Sequence, residues 1–216
     1  MATISKGNCY LCGAEVDKRA IKNHLLKKHK YEGKGQVCYL IKIEGKYEKD
    51  YWLYIDIPVT ERLIVLDNFL RFIWLECCGH MSEFSYNDEE IDDDCKLNKF
   101  SVGDKFLHEY DFGTTTESIV TIVSETVRKS QIEPIRLLAR NIPLKFKCEV
   151  CGKDADVICT ECGYEIDNPF YCNECFEEHE HPEMSLPITN SPRMGQCAYD
   201  GAMDHYAFDP NRLLSN

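Results

Sequence analysis

Apolar and polar residues alternate along the middle of the chain as they do in half-buried β-strands. This pattern predicts strands at 37–43 and 51–57, with Gly45 in the loop between them, and further strands at 80–86, 106–110 and 118–127. Residues 135–140 fit a last strand or a short helix. A helical periodicity predicts one main helix, whose apolar stripe contains Leu63, Leu66, Phe69, Leu70 and Ile73. The order ββαββββ predicts an α+β fold with a mostly antiparallel sheet.

Local signals suggest where these elements begin and end. Pro58 should end the second strand, Thr60 should cap the main helix, and Gly79 should stop it. Residues 88–94 carry six carboxylates in seven positions, which predicts an exposed loop. At 111–113 we predict a turn in which Asp111 accepts backbone hydrogen bonds, Phe112 fills the core and Gly113 adopts a positive φ.

Eight cysteines and histidines near the C-terminus have the spacing of metal ligands. They are Cys148, Cys151, Cys159, Cys162, Cys172, Cys175, His179 and His181. Used in chain order, the first four would close over only seven residues. Interleaving encloses longer loops, with Cys148 and Cys151 joined to the third pair and Cys159 and Cys162 joined to the two histidines. The spacing therefore predicts two zinc ions, and both sets of four ligands leave no open position for a reactive water.

The interleaved ligand order resembles that of the B-box and ZZ families over about forty residues. The resemblance implies a protein-interaction module. A scaffolding role for both zinc ions is the interpretation we favour, and a catalytic zinc is the alternative.

A second metal pattern opens the chain. Cys9 and Cys12 are followed after eleven residues by His24 and His29, which lie on a predicted helix and resemble the ligands of a C2H2 finger. The expected cofactor is therefore three zinc ions in all. An ordinary amphipathic helix beside a Cys pair is the alternative.

The other five of the thirteen cysteines are expected to be mostly buried free thiols: Cys38, Cys77, Cys78, Cys95 and Cys197. A vicinal disulfide or a metal role for the adjacent Cys77 and Cys78, which precede Gly79, is the less favoured alternative. The Cys-x2-Cys spacing and the absence of a recognisable signal peptide favour a reducing, cytoplasmic location. The most apolar run, residues 63–75, is too short and too polar to cross a membrane, so no membrane association is expected.

Charge divides the chain unequally. Residues 1–36 have eight basic and three acidic side chains, which gives them a net charge of +5. Because the whole chain has a net charge of −12, the remaining residues carry −17. Only the N-terminal segment has the positive charge that would attract the phosphate backbone of a nucleic acid. Its candidate DNA or RNA contacts are Lys22, Lys27 and Lys28 on the predicted helix. One finger reads about three base pairs, so nucleic-acid binding through it alone would be weak.

Several segments of residues 37–145 resemble the plasmid pRiA4b ORF-3-like family, whose members are also described as passenger proteins of an insertion element with a resolvase-like name. These segments read YLIKIEG, HMSEFSY and VGDKFLHEYDFG, and the later stretch LPITNSPRMGQCAYDG resembles the tail of longer members. The resemblance implies an α+β fold and a link to mobile elements rather than a defined activity. The chain departs from the family pattern at Thr114, Thr115 and Thr116, where members have acidic and aromatic residues.

Polar residues of the core provide only a weak case for catalysis. His80, Glu83, His108 and Asp111 are the candidate core-site residues for a hydrolase, but strand alternation would place His80 and Glu83 on opposite faces. The arginines of the core are scattered singly, which argues against recombinase chemistry.

We therefore expect four segments: a C2H2-like finger at 1–36, an α+β core at 37–145, a double-zinc module at 146–190 and a tail at 191–216. The favoured function is a non-catalytic adaptor with a protein partner. A nucleic-acid-associated regulator tethered through residues 1–36 is the alternative, and a hydrolase is the third.

Overall fold

The computed structural model describes residues 5–129 and 132–214 of the chain. Within these ranges, the larger sheet has nine strands: β1 (Lys6–Cys9), β2 (Glu15–Asp17), β3 (Gln36–Gly45), β4 (Trp52–Pro58), β5 (Ser82–Tyr86), β6 (Glu89–Ile91), β7 (Lys105–Tyr110), β8 (Thr116–Arg128) and β9 (Arg136–Asn141). They lie in the spatial order β2-β1-β9-β4-β3-β8-β7-β5-β6. Every pairing is antiparallel, in agreement with an α+β fold built on a mostly antiparallel sheet.

The other described elements include a smaller sheet and three α-helices. The small sheet contains β10 (Val157–Cys159), β11 (Phe170–Tyr171) and β12 (Ser185–Pro187). The helices are α1 (Lys18–Lys28), α2 (Leu63–Leu70) and the short α3 (Asn173–Phe176), and a π-helical turn, Arg71–Leu75, extends α2. None of the described helices is long and apolar enough to cross a membrane.

The two faces of the large sheet are covered by different helices. Successive strand residues point to opposite faces, so Leu53 and Ile55 of β4 belong to the core cluster under α2, whereas Trp52 and Tyr54 of β4 belong to the cluster under α1. All seven residues of β4 are consequently buried. The predicted apolar stripe is confirmed, since Leu63, Leu66, Phe69 and Leu70 of α2 and Ile73 of the π-helical turn are all buried.

The start of α2 differs from the prediction. The helix begins after Arg62, not at Thr60, and no described side chain caps it. Instead, the backbone N–H groups of Leu63 and Ile64 donate to the carbonyl oxygens of Cys95 and Asp93, at 3.0 and 2.9 Å. The orphan amides of the first turn are thus paired by a distant segment of backbone, a contact that local sequence signals do not show.

The acidic segment 88–94 is only partly the exposed loop that we expected. Glu89–Ile91 form the edge strand β6, which pairs with β5. Asn87 and Asp88 have φ values of 54° and 63° and make the two-residue turn of this hairpin. Asn and Asp tolerate the left-handed region better than most residues, which explains why a charged stretch still closes a tight hairpin.

The N-terminal segment belongs to the large sheet. Strand β1 pairs with β9, and Gly7 lies so close to this neighbour that an added Cβ would fall 2.3 Å from the carbonyl oxygen of Arg140. Ile21 and Leu25 of α1 are buried against the sheet together with Trp52. The predicted finger is therefore docked on the core through backbone pairing and apolar contacts.

The tail after β12 packs over the core. Arg193 is fully buried, and the hydroxyl of Ser191 donates to the carbonyl oxygen of Trp74 at 2.6 Å. Farther along, Asp204 pairs with Arg140 at 2.6 Å. These contacts bring the segment around 197 close to the loop that follows α2.

Candidate metal centres

Four groups of cysteine and histidine side chains converge among the described residues. In each group, the possible ligand atoms all lie within 4.8 Å of one another. The groups are Cys9, Cys12, His24 and His29; Cys77, Cys78, His80 and Cys197; Cys148, Cys151, Cys172 and Cys175; and Cys159, Cys162, His179 and His181. Each group offers the four ligands of a closed tetrahedral site.

The distances between ligand atoms fit a shared metal ion. Zinc–sulfur and zinc–nitrogen bonds in a tetrahedron place two sulfurs about 3.8 Å apart, a sulfur and a nitrogen about 3.6 Å apart, and two nitrogens about 3.3 Å apart. Cys151 Sγ lies 3.7 Å from Cys172 Sγ, and His24 Nε2 lies 3.2 Å from His29 Nε2. The ligand atoms thus lie at the corners of a tetrahedron of the size that zinc requires, and the measured distances are its edges.

In the four-cysteine group, a tight turn and the start of a short helix bring the four sulfur atoms together. The turn after Cys148 is closed by a hydrogen bond from Gly152 N–H to Cys148 O at 2.9 Å, and Gly152 has a φ of 70° that suits glycine. Cys172 immediately precedes α3 and Cys175 lies within it. Burial raises the pKa of the Cys148 thiol, but hydrogen bonds from the backbone N–H groups of Cys172, Cys151 and Val150 outweigh this effect. The net result is a pKa of about 6, below the ordinary value of 9.0. At Cys148 the thiolate, which is the form that binds metals, is therefore favoured. In the same group, hydrogen bonding with Cys172 and Cys151 raises the pKa of the Cys175 thiol to about 12.

The mixed group joins β10 and the following turn to the segment after α3. Cys162 Sγ lies 3.3 Å from His179 Nε2 and 3.5 Å from His181 Nδ1. Burial raises the pKa of the Cys162 thiol, and the Tyr171 hydroxyl, which donates to Cys162 Sγ at 3.7 Å, partly opposes this rise. The two C-terminal groups are therefore arranged in the interleaved order that the spacing favoured, because each takes its ligands from both halves of the segment.

The N-terminal group has a similar construction. Gly13, with a φ of 74°, closes the turn after Cys9 through a 2.8 Å hydrogen bond to Cys9 O. Cys12 Sγ lies 3.4 Å from His24 Nε2, and Cys9 Sγ lies 3.6 Å from His29 Nε2. His24 lies within α1, whereas His29 is the residue at which the helix ends. Burial lowers the pKa of both imidazoles and so favours their neutral, metal-binding form.

The fourth group was not expected from the sequence. Of the five cysteines predicted to be mostly buried free thiols, only Cys38 is buried; Cys78 and Cys197 are exposed, and Cys77 and Cys95 are intermediate. Three of these five converge with His80. The run Cys77-Cys78-Gly79-His80 was a visible signal, but Cys197 is 117 positions from His80 and only the path of the tail brings them together.

The four candidate core-site residues do not form one site. His80 Nδ1 lies 3.6 Å from Asp111 Oδ1. His108 is fully buried and its Nε2 instead lies 2.8 Å from Asp67 Oδ1. Glu83 lies opposite Glu109 in the β5–β7 pairing. The hydrolase alternative is left with only the pair His80 and Asp111.

The turn at 111–113 is partly as predicted. Asp111 Oδ1 accepts a hydrogen bond from Gly113 N–H at 3.0 Å, which confirms that part of the prediction. Phe112 was expected to fill the core but is 52% exposed. The positive φ, 65°, belongs to Asp111 rather than Gly113. The reason is an ion pair across the fold, in which Asp111 Oδ2 lies 2.6 Å from the buried guanidinium of Arg193 and so turns the Asp111 side chain, not Phe112, inward.

The candidate nucleic-acid contacts lie on the outer face of α1. Lys22, Lys27 and Lys28 are all exposed, while Ile21 and Leu25 pack on the sheet. The three ammonium groups are therefore free of the core and face solvent.

Comparison with known proteins identifies no family for this chain. No protein-family profile matches it, and no curated protein matches it. Among solved structures, it is similar to the crystal structure of a protein of unknown function, MM3350 from Methanosarcina mazei Go1. The sequence identity is 17% and the TM-score is 0.47, with 84% of this chain and 99% of that chain covered. This distant similarity transfers no function.

Proposed function

We propose that this chain is a zinc-binding, non-catalytic interaction protein that docks a protein partner through its C-terminal module, residues 146–190. The observation that carries the proposal is the interleaved pair of complete four-ligand groups in this module. A zinc ion with four protein ligands has no open position for substrate or water, so its contribution is structural. Zinc in the N-terminal group, which would fasten α1 to the Cys9 turn, belongs to the same proposal, as does membership of the pRiA4b ORF-3-like family.

The surface of the C-terminal module supports a role in docking. Tyr164 is 84% exposed and Ile166 is also exposed, although both are large apolar residues in a small module. Exposed acidic residues surround them, among them Glu161, Glu165 and Asp167. An apolar patch with a charged rim is typical of interaction sites.

Charge narrows the class of partner. Residues 146–190 contain eleven acidic and two basic side chains, a difference of −9. This field repels a phosphate backbone and attracts cationic groups. We therefore propose a partner segment that combines Lys or Arg with apolar side chains.

The proposal is tested with the full zinc-loaded chain on an array of random-sequence peptides. We expect the bound peptides to be enriched in basic and apolar residues, and binding to weaken as salt is raised. The double variant Tyr164→Ser/Ile166→Ser should lose this binding. Val150→Ser is the matched control, because Val150 is 69% exposed on the same module but lies outside the 161–167 segment. Equal binding by the double variant and the wild type would contradict the proposal.

A second candidate function, binding of DNA or RNA through the N-terminal segment, is favoured by the exposed Lys22, Lys27 and Lys28 on α1. Gel shifts at low salt test it: binding should fall steeply with added salt and drop when the three lysines become Ala. The −17 charge of the remaining chain opposes such binding. No shift with any DNA or RNA at low salt would reject this candidate.

A further inference from the structure

The group of Cys77, Cys78, His80 and Cys197 lies where the tail meets the core. The first three residues are on the loop between the π-helical turn and β5, and Cys197 is on the tail. The site is therefore complete only when the tail is folded onto the core.

The distances within this group have the same pattern as in the other three. Cys78 Sγ lies 3.7 Å from Cys197 Sγ, and Cys197 Sγ lies 3.5 Å from His80 Nε2. A tetrahedral zinc site requires about 3.8 Å and about 3.6 Å for these edges. A disulfide would require about 2.05 Å between the sulfurs. The geometry is thus that of ligands around an ion rather than that of a bonded pair of cysteines.

The backbone at Cys197 is held in an unusual conformation. Its φ of 51° lies in the left-handed region, which residues with a Cβ rarely adopt. Such strain persists where surrounding contacts impose it, and it is common at functional sites. Here it accompanies the approach of Cys197 Sγ to both Cys78 and His80.

Groups around the four candidate ligands also suit a metal centre. A ligating histidine usually presents its second ring nitrogen to a carboxylate, and His80 Nδ1 faces Asp111 Oδ1 at 3.6 Å. On the other side, Arg193 donates to Cys77 Sγ at 3.5 Å and also pairs with Asp111. Three thiolates, one Zn²⁺ and the Asp111 carboxylate sum to −2, and the fully buried guanidinium of Arg193 reduces this excess negative charge to −1.

We propose that Cys77, Cys78, His80 and Cys197 bind a fourth zinc ion, in a Cys₃His centre that fastens the C-terminal tail to the core. The centre is additional to the three of the proposed function. Zinc binding deprotonates the three thiols and releases up to three protons to solvent. The four protein ligands complete the tetrahedron, so this zinc acts as a structural clasp.

Burial distinguishes this centre from the others. Each of the other three groups has at least one buried ligand, whereas here two residues are intermediate and two are exposed. A chelator therefore reaches this ion most easily, and we expect it to be the first of the four to be removed.

The test is the metal content of the full chain by native mass spectrometry after purification with excess zinc. We expect four zinc ions in the wild type and three in Cys197→Ser. Cys95→Ser is the matched control, because Cys95 is partly buried but lies outside the four groups found among the described residues, and it should retain four. Cys78→Ser is the second variant if Cys197→Ser does not fold. Hydrogen exchange should show faster exchange at 191–206 in the variant that loses the ion.

Each outcome bears on one proposal. A wild type and a Cys197→Ser variant with the same zinc count would overturn the fourth centre, even if all three expected ions are present. A count of three in the wild type and two in the variant would support the fourth centre and show that one of the other three is empty. Cys12→Ser would then show whether the empty group is the N-terminal one or one of the two in the C-terminal module.

Discussion

Loss of one ligand of the proposed zinc ions in the C-terminal module should unfold that module and leave the large sheet intact. The informative variant is Cys175→Ser. Cys175 is only partly buried, so the loss of its sulfur costs little packing and the effect reports on the metal. Because the two groups interleave along the chain, removal of the first ion also frees the segment that holds Cys159 and Cys162.

The size of this effect follows from how few contacts other than the metal ligands stabilise the C-terminal module. Its buried side chains are four cysteines, Tyr171, Phe176, Ile158 and Phe170. Burial of these four apolar side chains contributes about 6–12 kcal/mol together, before the entropy lost on ordering the segment is subtracted. A structural zinc ion in a small domain contributes about 10–16 kcal/mol, which is at or above the total stability of most domains. The apolar contacts alone are therefore too weak to keep the module folded.

Hydrogen exchange read by mass spectrometry measures this directly. In Cys175→Ser, amides of β10 and β11 should lose at least about a thousandfold in protection, which corresponds to about 4 kcal/mol. Amides of β3 and β8 should keep theirs. Cys95→Ser should behave as the wild type in both regions. If native mass spectrometry shows that Cys175→Ser has lost its zinc while β10 and β11 stay protected, the reasoning is refuted.

Three further predictions concern the core and the docked N-terminal segment. Asp67→Asn should lower the free energy of unfolding by about 3 kcal/mol, since the buried carboxylate accepts from His108 at 2.8 Å and from Arg71 at 2.7 Å. The difference in the free energy of unfolding between the wild type and this variant should shrink by about 1 kcal/mol between pH 6 and pH 3. Burial raises the pKa of Asp67, but hydrogen bonds from His108, Ser82 and Arg71 lower it from 3.8 to about 2; the stabilisation is complete above 3.8 and is lost as the pH falls toward 2. Gly7→Ala should cost about 2 kcal/mol or detach β1 from β9, because the new methyl group would clash with Arg140 O and the Trp52 ring.

Chemical denaturation of paired samples measures all three. Zinc loss at low pH is common to the wild type and Asp67→Asn, so it cancels in their difference; a difference that is unchanged or larger at pH 3 would contradict the prediction. Gly163→Ala is the control for Gly7→Ala, because its added methyl group would meet only Pro169, at 4.0 Å. Equal stability of the two alanine variants would show that β1 is not tightly packed on the sheet.

The predicted secondary structure succeeded where the pattern was strong. Alternation located β3, β4, β7 and β8, and the helical stripe located α2, because burial on one face leaves a periodic trace in the sequence. The start of α2 was wrong because its first amides are paired by the backbone of residues 93 and 95, which carry no capping signal. The predicted burial of Phe112 was wrong because Asp111 forms an ion pair with Arg193, 82 positions away, and this pair sets the conformation of the turn.

The sequence alone determined the elements whose partners are close along the chain. Loop lengths in 148–181 favour one interleaved grouping of eight ligands, since a short loop cannot close around an ion, and the Cys9–His29 group follows from the same local argument. Only the tertiary structure decided how distant segments meet. It placed β1 beside β9, separated His108 from His80, and brought Cys197 to Cys78 and His80, because burial of Arg193 and Ser191 draws the tail across the core, whereas spacing along the chain constrains only neighbours.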